Sequence, residues 1–553
     1  MELNPIIARL LSARGIEPDD YEEFFDPSLA RLAPPCSLPG VSEAVDVILS
    51  HVGNGREIVV FGDYDADGVC ASAILVTTLQ RFGARVSAFI PHRFKEGYGM
   101  TSASIARLTE EHPDVSLVIT VDNGISSPAE VADLRGKGIS VVVTDHHLPG
   151  AEIPAADALV NPRVASAPGC EELCGAGVAF FLAAALVAEA TARGTYAGAK
   201  FGGPILILAG LATVADLMPL TGQNRILASE ALRKFRRFAP LGLSELVAHA
   251  ARRATDVITA RDFAFLLAPR INAAGRVASA MEAYELLMAT DRETARRLAV
   301  AVDSRNGERK GEETRMHEEA RAQIPSPVPA AVVVSNDEWN SGVAGIVAAR
   351  IMEEVRVPVA VVTEDHGSAR APGGYNVRDA LAAASDALAR FGGHAAAGGF
   401  TVLPGRLDDF REKFTAACAA QRAANAAAVE AALDPEPEAW LEPADLTIDF
   451  YNQLKMLEPF GEGNPEPVFG IRDVAPTDIK LLGLDGRHIA FSFSNRAIPR
   501  AVWWNNGSRA DELRAHSAAR FDILFTLMVS AFGESEHLEL RLTDMRPHRF
   551  AVQ

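Results

Sequence analysis

At 553 residues the chain exceeds what one hydrophobic core usually supports, so three or four domains are expected, and a hydrophobic content of 48% supplies a core for each. A formal charge of −19 excludes a uniformly basic nucleic-acid coat, and five cysteines with no C-x-x-C pair exclude a disulfide framework and a cysteine zinc site, favouring a reducing compartment, the cytoplasm. The start MELNPIIARLLSARG lacks the segments of a signal peptide, and the longest apolar run, PILILAGLATVADLMPL, is short and carries Asp216, so no membrane span is expected.

In chain order, residues 1–53 read as helices broken by DPSLARLAPPCSLPG. Within 54–230, the apolar runs EIVVF, RVSAFIP, SLVITV, ISVVVT and DALVN alternate with amphipathic helices, which predicts a parallel sheet with right-handed crossovers. Residues 231–323 read as helical and end in the charged SRNGERKGEETRMHEEARAQI, a candidate connecting helix. Between Ala231 and Lys310 stand 15 Lys or Arg against 9 Asp or Glu, a local positive excess in an acidic chain. A second, smaller α/β domain is expected over 324–432, ending beyond the glycine-rich FGGHAAAGGF. Pro and Glu mark 433–447 as an acidic linker, a solvated spacer, and the short alternating runs of 448–553 predict a small β-barrel.

The loop VVFGDYDADG opens like an EF-hand, but with Asp63 first the twelfth residue is Ile74, not the bidentate Glu that a calcium loop needs. A strand rather than a helix precedes it, so its aspartates belong at a strand end. VITVDNGIS and VVVTDHHLPG end two further strands in the same way, and in an open parallel sheet the crevice beyond the strands' carboxyl ends binds ligands. Asp65, Asp67, Asp122, Asp145, His146 and His147 are therefore expected to converge there. One such Asp is usually a helix cap; several carboxylates in one crevice repel each other unless cations neutralise them. Oxygen donors with imidazole and no thiolate suit Mn²⁺ or Mg²⁺, with zinc or cobalt less favoured, and so many ligands fit two ions, the arrangement that serves in-line displacement at phosphorus.

GDYDADG, VDNG, TDHHLPG and LATVADLMPL resemble the four motifs of the DHH phosphoesterase superfamily. IPHRFKEGYG, LCGAGVAF, LAPRINAAGR, EWNSGVAGIVAAR, GSARAPGGYNV, FGGHAAAGG and LEPFGEGNPEPVFG extend the resemblance, in order and over most of the chain, to the RecJ family of single-stranded-DNA exonucleases. The resemblance implies an α/β multidomain fold: a parallel-sheet DHH domain, a connecting helical region, a smaller α/β DHH-associated domain and an OB-fold-like barrel. It implies that Asp65, Asp67, Asp122, His146 and Asp216 hold the metal pair, Asp122 bridging, with Asp63 a ligand or a supporting neighbour. His147 would contact the scissile phosphate, and Asp145 would orient the histidines. Arg93, Arg270, Asn272, Arg276, Arg309, Ser368, Arg370 and His394 would contact the nucleic acid, the last three and Arg93 around its 5′ end. In the barrel, Phe491, Phe493, Trp503 and Trp504 are divided between core and base-stacking positions.

The activity so implied is removal of mononucleotides from the 5′ end of single-stranded DNA, in recombination and repair, by a cytoplasmic monomer working beside a helicase and a single-strand-binding protein. A DHH phosphodiesterase of short oligonucleotides or cyclic dinucleotides, and a non-catalytic single-strand scaffold, are the alternatives. Asn340 stands where the family usually has histidine and Ala371 where a second serine is common, which bears on substrate anchoring and leaves the metal motifs intact.

Overall fold

A computed structural model of the chain describes residues 3–97, 99–198, 202–251, 257–434, 436–483, 485–515, 519–532 and 535–548; Arg252, Arg253 and Asp256 of the basic interval lie outside the described residues. The chain forms two compact units. The larger comprises Ala33–Asp216 and Ala231–Pro435, and the smaller Met1–Leu32, Leu217–Glu230 and Glu436–Gln553.

The larger unit holds two sheets. In the first, β1 (Glu57–Phe61), β2 (Arg85–Phe89), β3 (Val115–Val121), β4 (Ser140–Thr144) and β5 (Ala158–Val160) are all parallel, in the order β2-β1-β3-β4-β5. Helices cover both faces, so the central strands are continuous apolar runs: Ile58, Val59, Val60 and Phe61 are all fully buried. The chain leaves β1 for β2 on one side and returns to β3 on the other. The β1/β3 boundary is thus a topological switch point, where the loops diverge and open a crevice. Helix Gly175–Ala192 is long and apolar enough to cross a membrane, yet it packs on helices Ala66–Arg81 and Pro204–Ala215 as a core element.

The second sheet contains β6 (Val332–Ser335), β7 (Val359–Thr363), β8 (His366–Arg370), β9 (Leu388–Gly393) and β10 (Ala397–Val402), in the order β6-β7-β8-β10-β9. Only β6 and β7 are parallel. The connecting helix expected from the charged run is present as Arg292–Ala322.

In the smaller unit, β11 (Ala439–Trp440), β12 (Phe469–Val474), β13 (Pro476–Leu482), β14 (His488–Phe493), β15 (Ala501–Trp503), β16 (Phe521–Phe532) and β17 (Ser535–Pro547) are ordered β11-β12-β16-β17-β15-β14-β13. Only Ala475 separates β12 from β13, so the two are halves of one bent strand and the sheet closes into a five-stranded barrel, with helix Ala510–Ala515 between its third and fourth strands. This is the OB-fold order expected for the C-terminal domain. Phe469, Phe491, Ile523, Phe525 and Leu540 fill it, and Ile7 and Leu11 of helix Pro5–Ala13 join the same core. The acidic stretch read as a solvated spacer is in part structural. Leu441 and Leu446 interrupt its acids with apolar side chains that join this core, and β11 pairs in parallel with β12. Three of the four barrel aromatics, Phe491, Phe493 and Trp503, are core; only Trp504 is exposed.

Candidate metal centre and substrate cleft

Three loops at the carboxyl ends of β1, β3 and β4 meet at the switch point. The first carries Asp63, Asp65 and Asp67. Asp65 is also a helix cap: its Oδ1 accepts from the N–H groups of Asp67 (2.9 Å) and Gly68 (3.1 Å) at the start of helix Ala66–Arg81. Asp67 accepts from Gly175 N (2.6 Å) and Ala176 N (2.8 Å) at the first turn of helix Gly175–Ala192, where the amide dipoles favour a carboxylate. Glycine is required twice for this convergence: a Cβ at Gly68 would lie 2.6 Å from Asp63 N, and one at Gly175 would lie 2.6 Å from Asp122 Cβ.

Asp122, directly after β3, has φ 61°, a left-handed conformation that costs a non-glycine residue free energy and often marks functional loops. After β4, Asp145 is saturated: it accepts from Ile125 N (3.0 Å), His146 N (2.8 Å), His147 N (3.1 Å) and His147 Nδ1 (2.8 Å). Burial would raise its carboxyl, but the hydrogen bond and charge of His147 and the backbone donors hold it below the usual carboxylate range. Asp145 thus fixes the His147 ring and the backbone at His146. The chain after them is tied back by Asn161, whose Nδ2 donates to the His147 carbonyl.

Ligand-type atoms gather in three groups: Asp63, Asp65 and Asp122; Asp67, His146 and Asp216; and Asp122, His146 and His147, each within 4.8 Å. Asp122 and His146 belong to two groups each, as a shared position requires. His146 Nε2 lies 3.1 Å from Asp122 Oδ1, 3.6 Å from Asp216 Oδ2 and 3.8 Å from Asp67 Oδ2. Adjacent ligands of an octahedral Mg²⁺-sized ion, each about 2.1 Å from it, stand about 3 Å apart. Asp63 Oδ1, Asp122 Oδ1 and Asp216 Oδ2 are buried and accept no hydrogen bond, although a buried carboxylate oxygen normally has a partner. Burial, and then the neighbouring aspartates, push Asp63 up to about 8 and Asp216 to about 9, and raise Asp65 and Asp122 in the same direction. The donor set fits hard divalent cations, which would satisfy the bare oxygens and remove the repulsion.

Burial lowers His146. His147 is more open; against burial, the hydrogen bond from its Nδ1 to Asp145 and the surrounding carboxylate charge push it up to about 9.

Beside this centre, Tyr64, Arg93, Ser341, Ser368, Arg390 and Phe391 line a cavity of about 480 Å³ between the two sheets. The Arg93 guanidinium lies 4.9 Å over the Tyr64 ring. Arg276 donates to the Gly342 carbonyl (2.8 Å), and burial, then the charge of Arg93, pushes it down to about 10. Arg370 is half-buried at the end of β8, against Gly345 of helix Ser341–Val355.

Other residues named from sequence are engaged within the protein. Arg270 pairs with Asp303 (2.7 Å) and the Leu266 carbonyl; Asn272 Oδ1 accepts from Ala66 N (2.6 Å); Arg309 binds Asn306 and Glu313. They brace the aspartate loop and the long helix. His394 sits exposed in the β9–β10 turn and is not among the residues lining the cavity. Asn340 caps helix Ser341–Val355 through Gly342 N, and Ala371 is buried in the core of the second sheet. Tyr64, Ser341, Arg390 and Phe391 were not singled out from sequence; an aromatic between two metal-type aspartates, and an Arg-Phe pair ahead of Gly392, Gly393 and His394, are the signals that point to them.

Comparison with known proteins agrees with this layout. Family models match the DHH family N-terminal domain over residues 57–201, the DHHA1 domain over 328–420 and the RecJ OB domain over 438–544. The chain is 32% identical to the single-stranded-DNA-specific exonuclease RecJ of Bacillus subtilis over 98% of its own length and 68% of that protein's. Crystal structures of RecJ from Thermus thermophilus are similar: the complex with Mn²⁺ has a TM-score of 0.82 at 31% identity, covering 99% of this chain and 76% of that one. The complex with Mg²⁺ has a TM-score of 0.75 at 30% identity, covering 99% and 75%.

Proposed function

This chain belongs to the RecJ family of single-stranded-DNA-specific exonucleases, within the DHH superfamily, and we propose that it removes mononucleotides from the 5′ end of single-stranded DNA with Mn²⁺ or Mg²⁺ as cofactor. The observation that carries the reading is the cluster of buried, unpartnered aspartate oxygens at the switch point, beside a cavity of about 480 Å³ lined with arginine, serine and aromatic side chains.

Asp65, Asp67, Asp122, His146 and Asp216 would hold the cations, with Asp63, whose Oδ1 is also bare, a further ligand or a supporting neighbour. A pair of divalent cations supplies an activated water and neutralises charge on the phosphoryl group. His147, with Nδ1 committed to Asp145, presents Nε2 to the scissile phosphate as a hydrogen-bond donor to the oxygens that gain charge. Water attacks phosphorus, the bond to the 3′ oxygen of the terminal nucleotide breaks, and that oxygen leaves with a proton. Arg93 and Ser368, which line the cavity, and Arg370 beside Ser368 receive the 5′ phosphate, because guanidinium groups fork onto its oxygens. Arg270, Asn272 and Arg309 serve this binding indirectly, by bracing the loop and helix that carry the contacts.

A cleft of this size takes one strand, so duplex must be opened first. That need supports action beside a helicase and a single-strand-binding protein in recombination and repair, and the five free cysteines support a reducing compartment, the cytoplasm.

Single strands labelled at the 5′ or the 3′ end test the reading. With Mn²⁺, a 5′ label should appear at once as mononucleotide while a 3′ label persists in shortening strands. Early mononucleotide from the 3′ label would refute the polarity, and no product from either would refute the activity.

A further inference from the structure

Strands β8, β9 and β10 give the cavity a floor, and their glycines fall into two kinds. Gly367, Gly393 and Gly398 are required by packing: a Cβ there would lie 2.1 Å from the Phe400 ring, 2.3 Å from the Ala397 carbonyl oxygen and 2.8 Å from Leu381 Cδ1. Gly392 and Gly399 are not. Neither has a positive φ; a Cβ would meet nothing within 4 Å at Gly392, and at Gly399 only the Gly367 carbonyl oxygen, at 4.0 Å. Glycine weakens a strand, so a pair that packing does not require marks a place where a ligand approaches the backbone closely. Both line the cavity of about 480 Å³.

The register shows what borders this bare stretch. Ser368, Gly399 and Gly392 stand opposite one another across β8, β10 and β9, and so do His366, Thr401 and Arg390, two residues along. Opposed residues share a face, as do residues two apart in a strand. One face therefore carries Arg370, then Ser368 with the two glycines, then the row of His366, Thr401 and Arg390, with about 7 Å between successive rows.

Arg390 is held but not neutralised. Its Nε donates to Thr401 Oγ1 (3.1 Å), and its Nη2 lies 3.5 Å from His366 Nε2. A guanidinium can only donate, so Nε2 faces it as an acceptor and the proton of the ring sits on Nδ1, toward Asp365. Asp365 thus fixes the ring rather than pairing with the arginine. Among the described residues no carboxylate forms an ion pair with Arg390, whose side chain lines the cavity.

A single 5′ phosphate on Arg93, Ser368 and Arg370 does not reach the Arg390 row. A run of phosphates does: it is narrow, lies on backbone that has no side chains, and brings further negative charge to an unneutralised guanidinium. We propose that the cavity accepts single strands ending in a 5′-triphosphate, the end left by synthesis that starts from a nucleoside triphosphate, with the outermost phosphate on Arg390 and the run lying over Gly392 and Gly399. The proposal rests on the 5′-end reading above. The bond cleaved is the same: water adds to the scissile phosphorus and the 3′ oxygen of the terminal nucleotide leaves with a proton. The first product is then a nucleoside triphosphate, and the remaining strand keeps a 5′ monophosphate.

The test gives the full chain, with Mn²⁺, a short oligothymidylate carrying either a 5′-monophosphate or a 5′-triphosphate, and separates the products by anion exchange. The triphosphate strand should release thymidine triphosphate first and thymidine monophosphate afterwards. Arg390→Ala should raise KM for the triphosphate strand about tenfold or more relative to KM for the monophosphate strand, and Arg390→Lys, which keeps the charge, should recover part of the difference. A wild type that degrades the monophosphate strand but leaves the triphosphate strand intact, or first strips phosphate or pyrophosphate from it, overturns the proposal and leaves the exonuclease reading standing. An Arg390→Ala change of equal size on both strands also overturns it. Failure to degrade either strand overturns the exonuclease reading instead.

Discussion

Removing the cations should make the protein's stability depend steeply on pH, and replacing them should abolish the dependence. The folded-state pKa of Asp63 is about 8, above its ordinary 3.8, because of burial and then the charge of Asp65. A carboxyl raised in this way holds its proton in the folded state where the unfolded chain has lost it. Its stabilisation is complete below about pH 4 and is lost as pH rises through about 8. Asp216, at about 9, has the same sign; His147, also about 9 against an ordinary 6.5, adds to the loss over the upper part of the range. Between about pH 6 and about pH 8, Asp63 alone accounts for about 2 kcal/mol, a large share of the stability of a domain, and Asp216 acts in the same direction. Divalent cations displace these protons, so the loaded protein should show little of the slope and should release protons on binding. Thermal melting with chelator and with Mn²⁺ at both pH values is the assay: the gap between the two melting temperatures should widen markedly at the higher pH. A gap of equal size at both would refute the claim that protons and cations compete for these oxygens.

Asp145→Asn should remove the charge that raises His147, so that in the metal-free protein the imidazole titrates well below its present value of about 9, followed by NMR, and turnover should fall about 10- to 100-fold. Asn272→Ala should leave Ala66 N without an acceptor, costing about 1–3 kcal/mol in chemical denaturation. If Asn272 is a brace, the affinity of the variant for single strands measured in chelator should change little while cleavage falls. Arg370→Ala should raise KM about tenfold or more for 5′-phosphorylated strands and have much less effect on 5′-hydroxyl strands, in steady-state kinetics.

The aspartate motifs were legible because metal chemistry constrains residue type and a parallel sheet constrains where strand-end loops meet. Asp63, Asp67, Asp122, His146 and Asp216 fall into adjoining groups although more than 150 positions separate the first from the last. The basic track was harder to read. Arg270, Asn272 and Arg309 stand in motifs that look like phosphate contacts, yet each is satisfied by a partner inside the fold, and for Asn272 that partner lies 206 residues away. An arginine's sequence context records that a cation is wanted; it does not record whether Asp303 or a phosphate oxygen neutralises it. The barrel aromatics show the opposite case. Alternation alone makes Trp503 and Trp504 face opposite ways, but only the pairing of Ile489 with Trp503 shows which one is inside, because a shift of one residue in register would exchange them. The second sheet adds a third reason. Tyr64 and Phe391 come from different domains and acquire a shared role only where the two sheets enclose the cavity, so neither residue's neighbours in sequence carry the information. Residues suited to a cation are thus readable from residue type and strand position, whereas residues that line a shape need the tertiary structure that makes the shape.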